Sequence, residues 1–291
     1  MQNLRTLRQR IRSVQSTQKI TRAMQMVAGA KLRRLQTELV GFKPYAHRLE
    51  DLTRRFLGGQ PGLTHPFLEA AVSVEEENQE ETPPPIGLVI ISSDTGLCGT
   101  YNERILSEAE RFLLENPSAV TVAVGKKASR FLHRRGKKSI KEMLDWGGRY
   151  DMAKMLQTAA WLQELYLNKS VSGWWVVYTG YLSALRWKPT VERYLPVEKP
   201  AAEEFPEKII SEPNPEAVAD DLLRRFMSAQ FVRMILEAFT VEHSARMIAM
   251  KNATDNAAEM IETLTLIRNK ARQAAITKEL IEVVSGAEAL R

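Results

Sequence analysis

The sequence predicts an α/β fold with two long terminal helices, and three observations support this prediction. The N-terminal arm and the C-terminal part each carry an apolar stripe at helical spacing. The block between them alternates short β-rich runs with helical stretches. Prolines are frequent at the borders of that block but are absent from most of both arms. With 291 residues and 44% apolar composition, the chain can also bury a sizeable core.

The N-terminal arm predicts one helix from about Asn3 to Phe56. Its apolar residues recur at gaps of three and four, which places them on one face, with a phase shift near Gln18. The run 58–62, which contains three glycines and a proline, ends the pattern. At 1.5 Å per residue, the helix should be roughly 80 Å long.

The C-terminal part predicts an even longer helix. A seam of apolar and small residues steps by seven and by three or four from Leu222 to Ser285, and no proline follows Pro215. Such a heptad seam is typical of a coiled coil. The helix should be roughly 110 Å long, which exceeds a compact domain of this size, so we expect it to project. Small seam residues would let a partner backbone approach closely: Ala253, Ala257, Ala271 and Ala274.

The two arms are natural partners for one another. A helix with a single apolar stripe needs a surface to cover it, and the other arm of the same chain is the nearest candidate. The expected arrangement is an antiparallel coiled coil of the N- and C-terminal helices. Homodimerisation through either helix is the alternative that periodicity alone leaves open.

The central block predicts a small Rossmann-like parallel α/β domain. Its strands and helices alternate, as in parallel sheets. The predicted strands are 86–92, 120–124 and 174–179, and the predicted helices are 103–114, 126–135 and 151–167. The resulting domain boundaries are 1–57 for the N-terminal coiled-coil helix, 58–85 for an acidic, Pro-rich linker, 86–206 for the α/β domain and 207–291 for the C-terminal helix that pairs with 1–57.

Composition excludes several classes of protein. The single cysteine rules out an intrachain disulfide and a cysteine-based zinc cluster, which suits a reducing compartment. The sequence contains no run of about 18 apolar residues, the length needed to span a bilayer, so we expect no membrane-spanning helix. The start of the chain is rich in arginine, but it has no apolar region behind its charges, so we do not expect a secretory signal.

The stretch SSDTGLCGTYN, residues 92–102, is the strongest candidate for an active site. Asp94-Thr95-Gly96 is the short signature of aspartic proteases, but those need two such carboxylates and the chain has one copy. Cys98 could be a nucleophile, but no histidine is placed nearby as its base. The loop also resembles a phosphate cradle, without the lysine of a P-loop or the three glycines of a dinucleotide fingerprint. We therefore expect a structural turn.

In a structural turn, we expect the residues to have packing or backbone roles. Gly96 and Gly99 provide the tight turn, and Cys98 packs beneath it. Asn102 caps a helix that begins at Glu103. The sequence accordingly predicts no catalytic residue, no bound cofactor and no metal site.

Charge is concentrated at the N-terminus. Residues 1–34 contain nine Lys or Arg and no acid, and a second basic cluster runs from Lys126 to Lys141. Nucleic acid is one possible partner. However, no aromatic residues lie among the early arginines, and the acidic linker 75–81 would oppose a polyanion. An acidic protein surface is the alternative.

Three segments resemble the gamma subunit of F-type ATP synthases. They are RIRSVQSTQKITRAMQMVAGAKL at 10–32, ARMIAMKNATDNA at 245–257 and NKARQAAITKEL at 269–280. The stretch 92–102 is similar to a Ser/Thr-Asp-x-Gly-Leu-Cys-Gly-x-x-Asn segment of the same family. From about 137 to 205 only the order of elements matches, and Arg268 stands where the family usually has a tyrosine. An inserted cysteine pair, as in the redox-controlled chloroplast form, is absent.

The resemblance implies a function without an active site in this chain. Members of the family form the central rotor shaft, or central stalk, inside a ring of alpha and beta subunits. Their globular end binds the epsilon subunit and the membrane ring of c subunits. Ion flow turns the shaft, which drives each beta subunit through its nucleotide-binding states. The implied location is the cytoplasmic face of a bacterial inner membrane, as a peripheral membrane protein. No nucleic acid and no small-molecule substrate is expected.

Position by position, the resemblance also suggests contact residues. Arg272, Gln273 and Thr277 match the contacts between shaft and beta subunit near the upper end of the rod. Lys19, Met24 and Arg246 match a lower coupling region. Each could instead be an ordinary surface or seam residue of a coiled coil. A scaffold of another assembly therefore stays open as an alternative.

Overall fold

The computed structural model of the chain describes residues 4–60, 62–68, 83–183, 185–200 and 211–289, with side chains as far as Gly286. The elements in chain order are α1 (Leu4–Gly58), β1 (Ile86–Ile91), α2 (Tyr101–Glu115), β2 (Val120–Val124), α3 (Lys126–Arg134), β3 (Ser139–Met143), α4 (Met152–Leu167), β4 (Gly173–Tyr181), β5 (Trp187–Leu195) and α5 (Pro215–Ala289). The acidic linker predicted for 58–85 lies mostly outside the described residues.

The sheet has five strands in the order β3-β2-β1-β4-β5. The pairs β1–β2, β1–β4 and β2–β3 are parallel, whereas β4 and β5 are antiparallel. The strand order reverses between β1 and β4. In sheets of this kind, ligands bind in the crevice beyond the carboxyl ends of the strands at such a reversal.

Strand β1 lies in the centre and is buried on both faces. Its sequence IGLVII is almost wholly apolar, which is typical of a strand covered by helices on both sides. Val89 and Ile91 face a core shared with α1, α4 and α5. Leu88 and Ile90 face a second core formed with α2, α3 and part of α5. The central strand thereby holds the two layers together.

Helix α5 is buried on all sides along its middle. Between Ala229 and Arg246 nearly every residue is buried. Phe231, Leu236 and Phe239 belong to one core and Val241 to the other. Such burial is typical of a helix that crosses the interior of a domain. The heptad seam therefore describes only part of the packing surface.

Helix α1 continues through Pro44. A proline in a helix interior removes one backbone hydrogen bond. Pro44 is exposed, whereas Leu39, Ala46 and Leu49 on the other side are buried. The packed face of the helix is therefore uninterrupted around Pro44.

The apolar stripe predicted from the sequence is buried at Leu7, Ile11, Leu32, Leu35 and Leu39. It is wrong at Ile20 and Val27, which are exposed, and the neighbouring Thr21 and Ala28 are buried instead.

The chain divides into two compact units. One consists of Met1–Gly29 and Arg246–Arg291, and the other consists of Ala30–Ala245. We call them the rod unit and the sheet unit. Both long helices contribute to both units. In the described parts of the chain, no helix has the length and apolarity needed to cross a membrane.

The predicted fold class, α/β with long terminal helices, is confirmed. The three predicted strands and three central helices all occur within a few residues of their expected ends. Two strands were not predicted, β3 and β5, and the second makes the sheet mixed rather than fully parallel. Both carry polar and charged residues and lie at the sheet edges, where one side is left without a partner strand. Edge strands lack the continuous apolar run by which central strands are recognised.

Candidate functional site

The stretch 92–102 lies at the carboxyl end of β1, beside the point where the strand order reverses. This is the place where a sheet of this type would bind a nucleotide or another small ligand. The geometry of the stretch therefore decides whether a ligand site is present there.

The carboxylate of Asp94 accepts three backbone hydrogen bonds. Its Oδ1 accepts from the amides of Lys126 and Asp145, both at 3.1 Å, and its Oδ2 accepts from Gly147 at 2.7 Å. Backbone amides that converge in this way commonly hold a phosphate or another anion. Here a side chain of the same chain occupies the position. Asp94 thereby joins β1 to the start of α3 and to the loop after β3.

The two serines before Asp94 satisfy further amides at the start of α3. Ser92 Oγ accepts from Ala128 at 2.8 Å, and the carbonyl of Ser93 accepts from Lys127 at 3.1 Å. Gly125 precedes α3 with a φ of 91°, and a Cβ there would lie 2.3 Å from the carbonyl oxygen of Ser92. Only glycine fits this approach. The segment 92–94 thus caps α3, the helix after the neighbouring strand.

Asn102 does not cap α2, contrary to the sequence-based expectation. The helix begins at Tyr101, and its N-cap residue is Thr100, which makes no side-chain cap bond. Asn102 lies inside the first turn. Its Oδ1 accepts from the amide of Ser93 at 3.1 Å, and its Nδ2 lies 3.0 Å from Cys98 Sγ. Asn102 therefore stabilises the turn from within the helix.

The remaining residues of the turn are placed as follows. Cys98 is 2% exposed and packs in the core with Tyr101 and Ile105. Gly99 has a positive φ of 57°, and so does Leu97, at 62°. The left-handed positions are therefore 97 and 99, and no positive φ occurs at Gly96. In the part of the chain that the structure describes, no group of three or more His, Cys, Asp or Glu side chains could hold a metal ion.

In the rod unit, α1 and α5 run antiparallel and approach closely. Thr21 and Thr254 share a hydrogen bond of 2.8 Å between their hydroxyls. At Gly29, a Cβ would lie 3.4 Å from the sulfur of Met247. Small residues permit this close approach. If this register is extended along the helices, Leu4 lies opposite Ala271.

The six predicted contact residues all lie on the two rod helices. Lys19 is exposed, Met24 is partly buried and Arg246 is buried at the inner end of the unit. Arg272, Gln273 and Thr277 are exposed, and they follow the point at which α5 extends past the described start of α1. The structure thus separates the six into a group within the helix pair and a group beyond it.

The end of α5 exposes apolar side chains. The seam predicted from the sequence is buried or partly buried as far as Ala257, but Met260, Ile267 and Ile281 on the same seam are exposed. Further exposed apolar residues follow on this end: Ile276, Leu280, Val283 and Val284. Large exposed apolar patches mark interaction surfaces. The end of α5 is therefore a candidate partner site.

A charged cluster that the sequence did not reveal centres on Arg233 of α5. Its guanidinium lies 2.8 Å from Glu192 of β5 and 3.7 Å from Glu237, and it donates to the hydroxyl of Tyr178 at 3.2 Å. Lys43 of α1 lies 3.6 Å from Glu237. Burial raises the pKa of Tyr178, whose hydroxyl donates to Glu192 at 2.6 Å. The cluster connects both long helices to the sheet.

A second contact missed by sequence reasoning joins the segment after α1 to α5. His65 is 8% exposed, and its Nδ1 accepts from the amide of Phe67 at 3.2 Å. Nε2 therefore carries the proton and donates to Asp220 at 3.3 Å. Burial lowers the pKa of His65, and a hydrogen bond from Arg224 lowers that of Asp220. The two residues are too far apart in sequence for a pattern to connect them.

Comparison with known proteins decides the family. The family model described as ATP synthase matches residues 3–290. A protein of Moorella thermoacetica named ATP synthase gamma chain is 42% identical, with all of both chains covered, and its namesake from Heliobacterium modesticaldum is 38% identical over the same full extent.

The chain belongs to the ATP synthase gamma-chain family.

Two solved structures from mitochondrial ATP synthases share the fold of this chain. The rotor of the Euglena gracilis mitochondrial ATP synthase superposes with a TM-score of 0.62 at 19% identity, covering 94% of this chain and 98% of that one. The central stalk and c-ring structure from Tetrahymena thermophila gives a TM-score of 0.59 at 21% identity, with coverages of 80% and 99%. The shared fold thus covers most of this chain.

Proposed function

We propose that the chain is the central-stalk rotor subunit of an F-type ATP synthase, and that it has no catalytic site of its own. The observation that carries this proposal is the end of α5, which extends past the described start of α1 and exposes apolar side chains at helical spacing. Exposed apolar side chains at the end of a rod are suited to contact with a ring of other subunits that surrounds it. Its neighbours would be the alpha and beta subunits.

The crevice of the sheet supports the non-catalytic part of the proposal. The amides that could hold a phosphate are occupied by Asp94. Cys98 is buried in the core with Tyr101 and Ile105, and its Sγ lies 3.0 Å from Nδ2 of Asn102. These residues stabilise the fold, so we assign the chemistry of the complex to other subunits.

The sheet unit would form the foot of the rotor. By analogy with the Euglena gracilis rotor and the Tetrahymena thermophila central stalk with c-ring, it would bind the epsilon subunit and the membrane ring of c subunits. The subunit would then be a peripheral membrane protein at the cytoplasmic face of a bacterial inner membrane. Torque would pass from the foot to the rod through α1 and α5, which contribute to both units. Such coupling needs a rigid element whose contacts differ between states of its partners.

We assign two contact regions within this function. Arg272, Gln273 and Thr277 would contact the beta subunits near the end of the rod, where their side chains are exposed. Lys19, Met24 and Arg246 would form the lower coupling region. Contacts between exposed charges and polar groups are individually weak, so they can be broken and re-formed as the shaft turns.

The experiment is reconstitution of membranes whose ATP synthase lacks only this subunit. Adding the chain should restore ion-driven ATP synthesis, while the purified chain alone should hydrolyse no ATP. Stable assembly without restored synthesis would overturn the proposal. Salt-sensitive nucleic-acid binding, without affinity for alpha and beta subunits, would favour a different function.

Matched variants test the contact residues. Alanine at Arg272, Gln273 and Thr277 together should lower the rate of synthesis without preventing assembly. Alanine at Lys154 and Gln157, which are exposed on α4, serves as the control and should leave synthesis unchanged. Equal effects of the two variants would contradict the assignment.

A further inference from the structure

The segment from Lys126 to Lys141 contains eight Lys or Arg and no acid. It forms α3 and most of β3, the strand at one edge of the sheet. The outward-facing charges of this segment take part neither in the capping of α3 nor in the proposed contacts of the rod. Its surface therefore needs an explanation of its own.

The exposed part of this segment lies on one side of the sheet. On α3, Arg130, His133 and Arg134 are exposed at helical spacing of three and four. His133 lies 3.0 Å from Glu142 of β3, on the same side of that strand as Ile140. We call Arg130, Arg134, Lys138 and Ile140 the basic edge.

Some cations of the segment are neutralised within the chain, but those of the basic edge are not. Lys126 pairs with Asp145, and Arg135 pairs with Glu110. Among the described residues, no carboxylate lies within 4.0 Å of the charged groups of Arg130, Arg134 or Lys138. Three positive charges thus face solvent together, on a surface with few compensating acids.

Apolar side chains accompany these charges. Ile140 is 49% exposed at the edge of the sheet, and Leu144 directly after β3 is 39% exposed. The aromatic residues of this region, Phe131 and Trp146, are buried, so no ring is available for stacking with a nucleic-acid base. Cationic and aliphatic side chains together suit the surface of an anionic membrane, where charges meet headgroups and short apolar groups enter the boundary.

We propose that the basic edge binds anionic phospholipid headgroups. The proposal rests on the proposed function only in that a rotor foot bound to a membrane ring lies near a lipid surface. The interaction would be weak and independent of lipid identity beyond charge, because it uses long, exposed side chains. A foot that turns against the membrane surface could then re-form its contacts with successive headgroups.

The test uses the full chain and vesicles of equal parts phosphatidylglycerol and phosphatidylcholine. Replacing Arg130, Arg134 and Lys138 together by Gln should weaken vesicle partitioning about a hundredfold, since each charge near an anionic surface contributes a factor of about five. Neither protein should bind pure phosphatidylcholine. Unchanged partitioning of the variant would overturn the proposal.

The control variant changes the same number of charges in the N-terminal arm. Arg8, Arg10 and Arg12 are exposed on α1, and Gln at all three lowers the net charge equally. If this control loses as much partitioning as the basic-edge variant, binding reflects net charge and the basic edge is not a site. Circular dichroism of both variants checks that the helices are intact.

An uncharged pair of variants tests the apolar contribution. Ile140→Ser should weaken partitioning severalfold at constant charge, whereas Val40→Ser, on the exposed face of α1, should not. Preferred binding of RNA or DNA over anionic vesicles by the basic edge would also overturn the proposal. The vesicle assay requires no other subunit, so its failure is distinguishable from a failure to restore ATP synthesis.

Discussion

Replacing Asp94 tests whether the stretch 92–102 is a structural element or an active site. In the structure, its carboxylate accepts from the backbone amides of Lys126, Asp145 and Gly147. Asp94→Ala removes the acceptor of all three. Asp94→Asn retains one oxygen, but its amide group would face the N–H of Gly147, so that two donors oppose one another.

The expected cost follows from the exposure of these amides. Hydrogen bonds to charged groups contribute about 1.5–3 kcal/mol when buried. The bonds from Lys126 and Gly147 are only partly buried, and the bond from Asp145 is exposed, so water replaces part of each. We expect Asp94→Ala to cost about 2–3 kcal/mol and Asp94→Asn about half as much. In Asp94→Ala, the melting temperature should therefore fall by about 7 °C.

The measurements are thermal unfolding and amide hydrogen exchange. The amide of Gly147 should exchange about fifty times faster in Asp94→Ala, which is the population shift expected for 2–3 kcal/mol of local opening. Thr100→Ala is the control, because this N-cap residue makes no side-chain cap bond and its loss should change little. Unchanged exchange at Gly147 would refute the reasoning. So would a hydrolytic activity of the parent chain that disappears in Asp94→Asn.

Three further predictions concern the sheet unit. In urea unfolding, Gly125→Ala should lower the free energy of unfolding by about 3 kcal/mol or more, because its φ is 91° and its Cβ would meet a carbonyl. The control Gly136→Ala, at a φ of 68° with nothing within 4 Å, should cost about 1 kcal/mol. Equal costs would contradict this reasoning. The folded-state pKa of His65 lies below 6.5, so its contribution is present above pH 6.5 and is lost as pH falls towards that lower pKa; His65→Gln should flatten this slope of stability against pH, and an unaltered slope would count against it. Arg233→Met should cost about 2–3 kcal/mol in thermal unfolding, less than for a fully buried pair because a fifth of the side chain is exposed. Its control, Arg225→Met, breaks only an exposed ion pair and should have the same melting temperature as the parent chain. If both variants lost the same stability, burial of the Arg233 cluster would be unimportant.

Local patterns were sufficient for most of the elements. The stripe of α1 and the apolar run of β1 are repeated over enough residues for periodicity to identify them. Strand β5 was missed because an edge strand with Lys188, Pro189 and Arg193 lacks a continuous apolar run. The all-round burial of α5 was also missed, since a heptad seam describes one face of a helix and says nothing of the others.

For the stretch 92–102, the sequence did not predict the contacts that the structure shows. The sequence indicated a turn rather than a catalytic loop. The assignment of Asn102 as the cap of α2 was wrong, because it rested on residue type alone and Asn102 lies inside the first turn. In the structure, Ser92 and Asp94 cap α3, more than thirty residues further along the chain. Which neighbouring helix a loop approaches depends on how the strands are ordered in the sheet.

The sequence thus determined the local features of the protein, and the tertiary structure determined the contacts between distant residues. Repeated spacing and the three long motifs identified the terminal helices, the α/β block and the family, because such signals lie within contiguous segments. The partner of the Asp94 carboxylate, the Arg233 cluster and the exposed end of α5 needed the folded chain. The first two depend on residues distant in sequence that the fold brings together, and the third depends on how far α1 covers α5. One sequence carries no local signal for either.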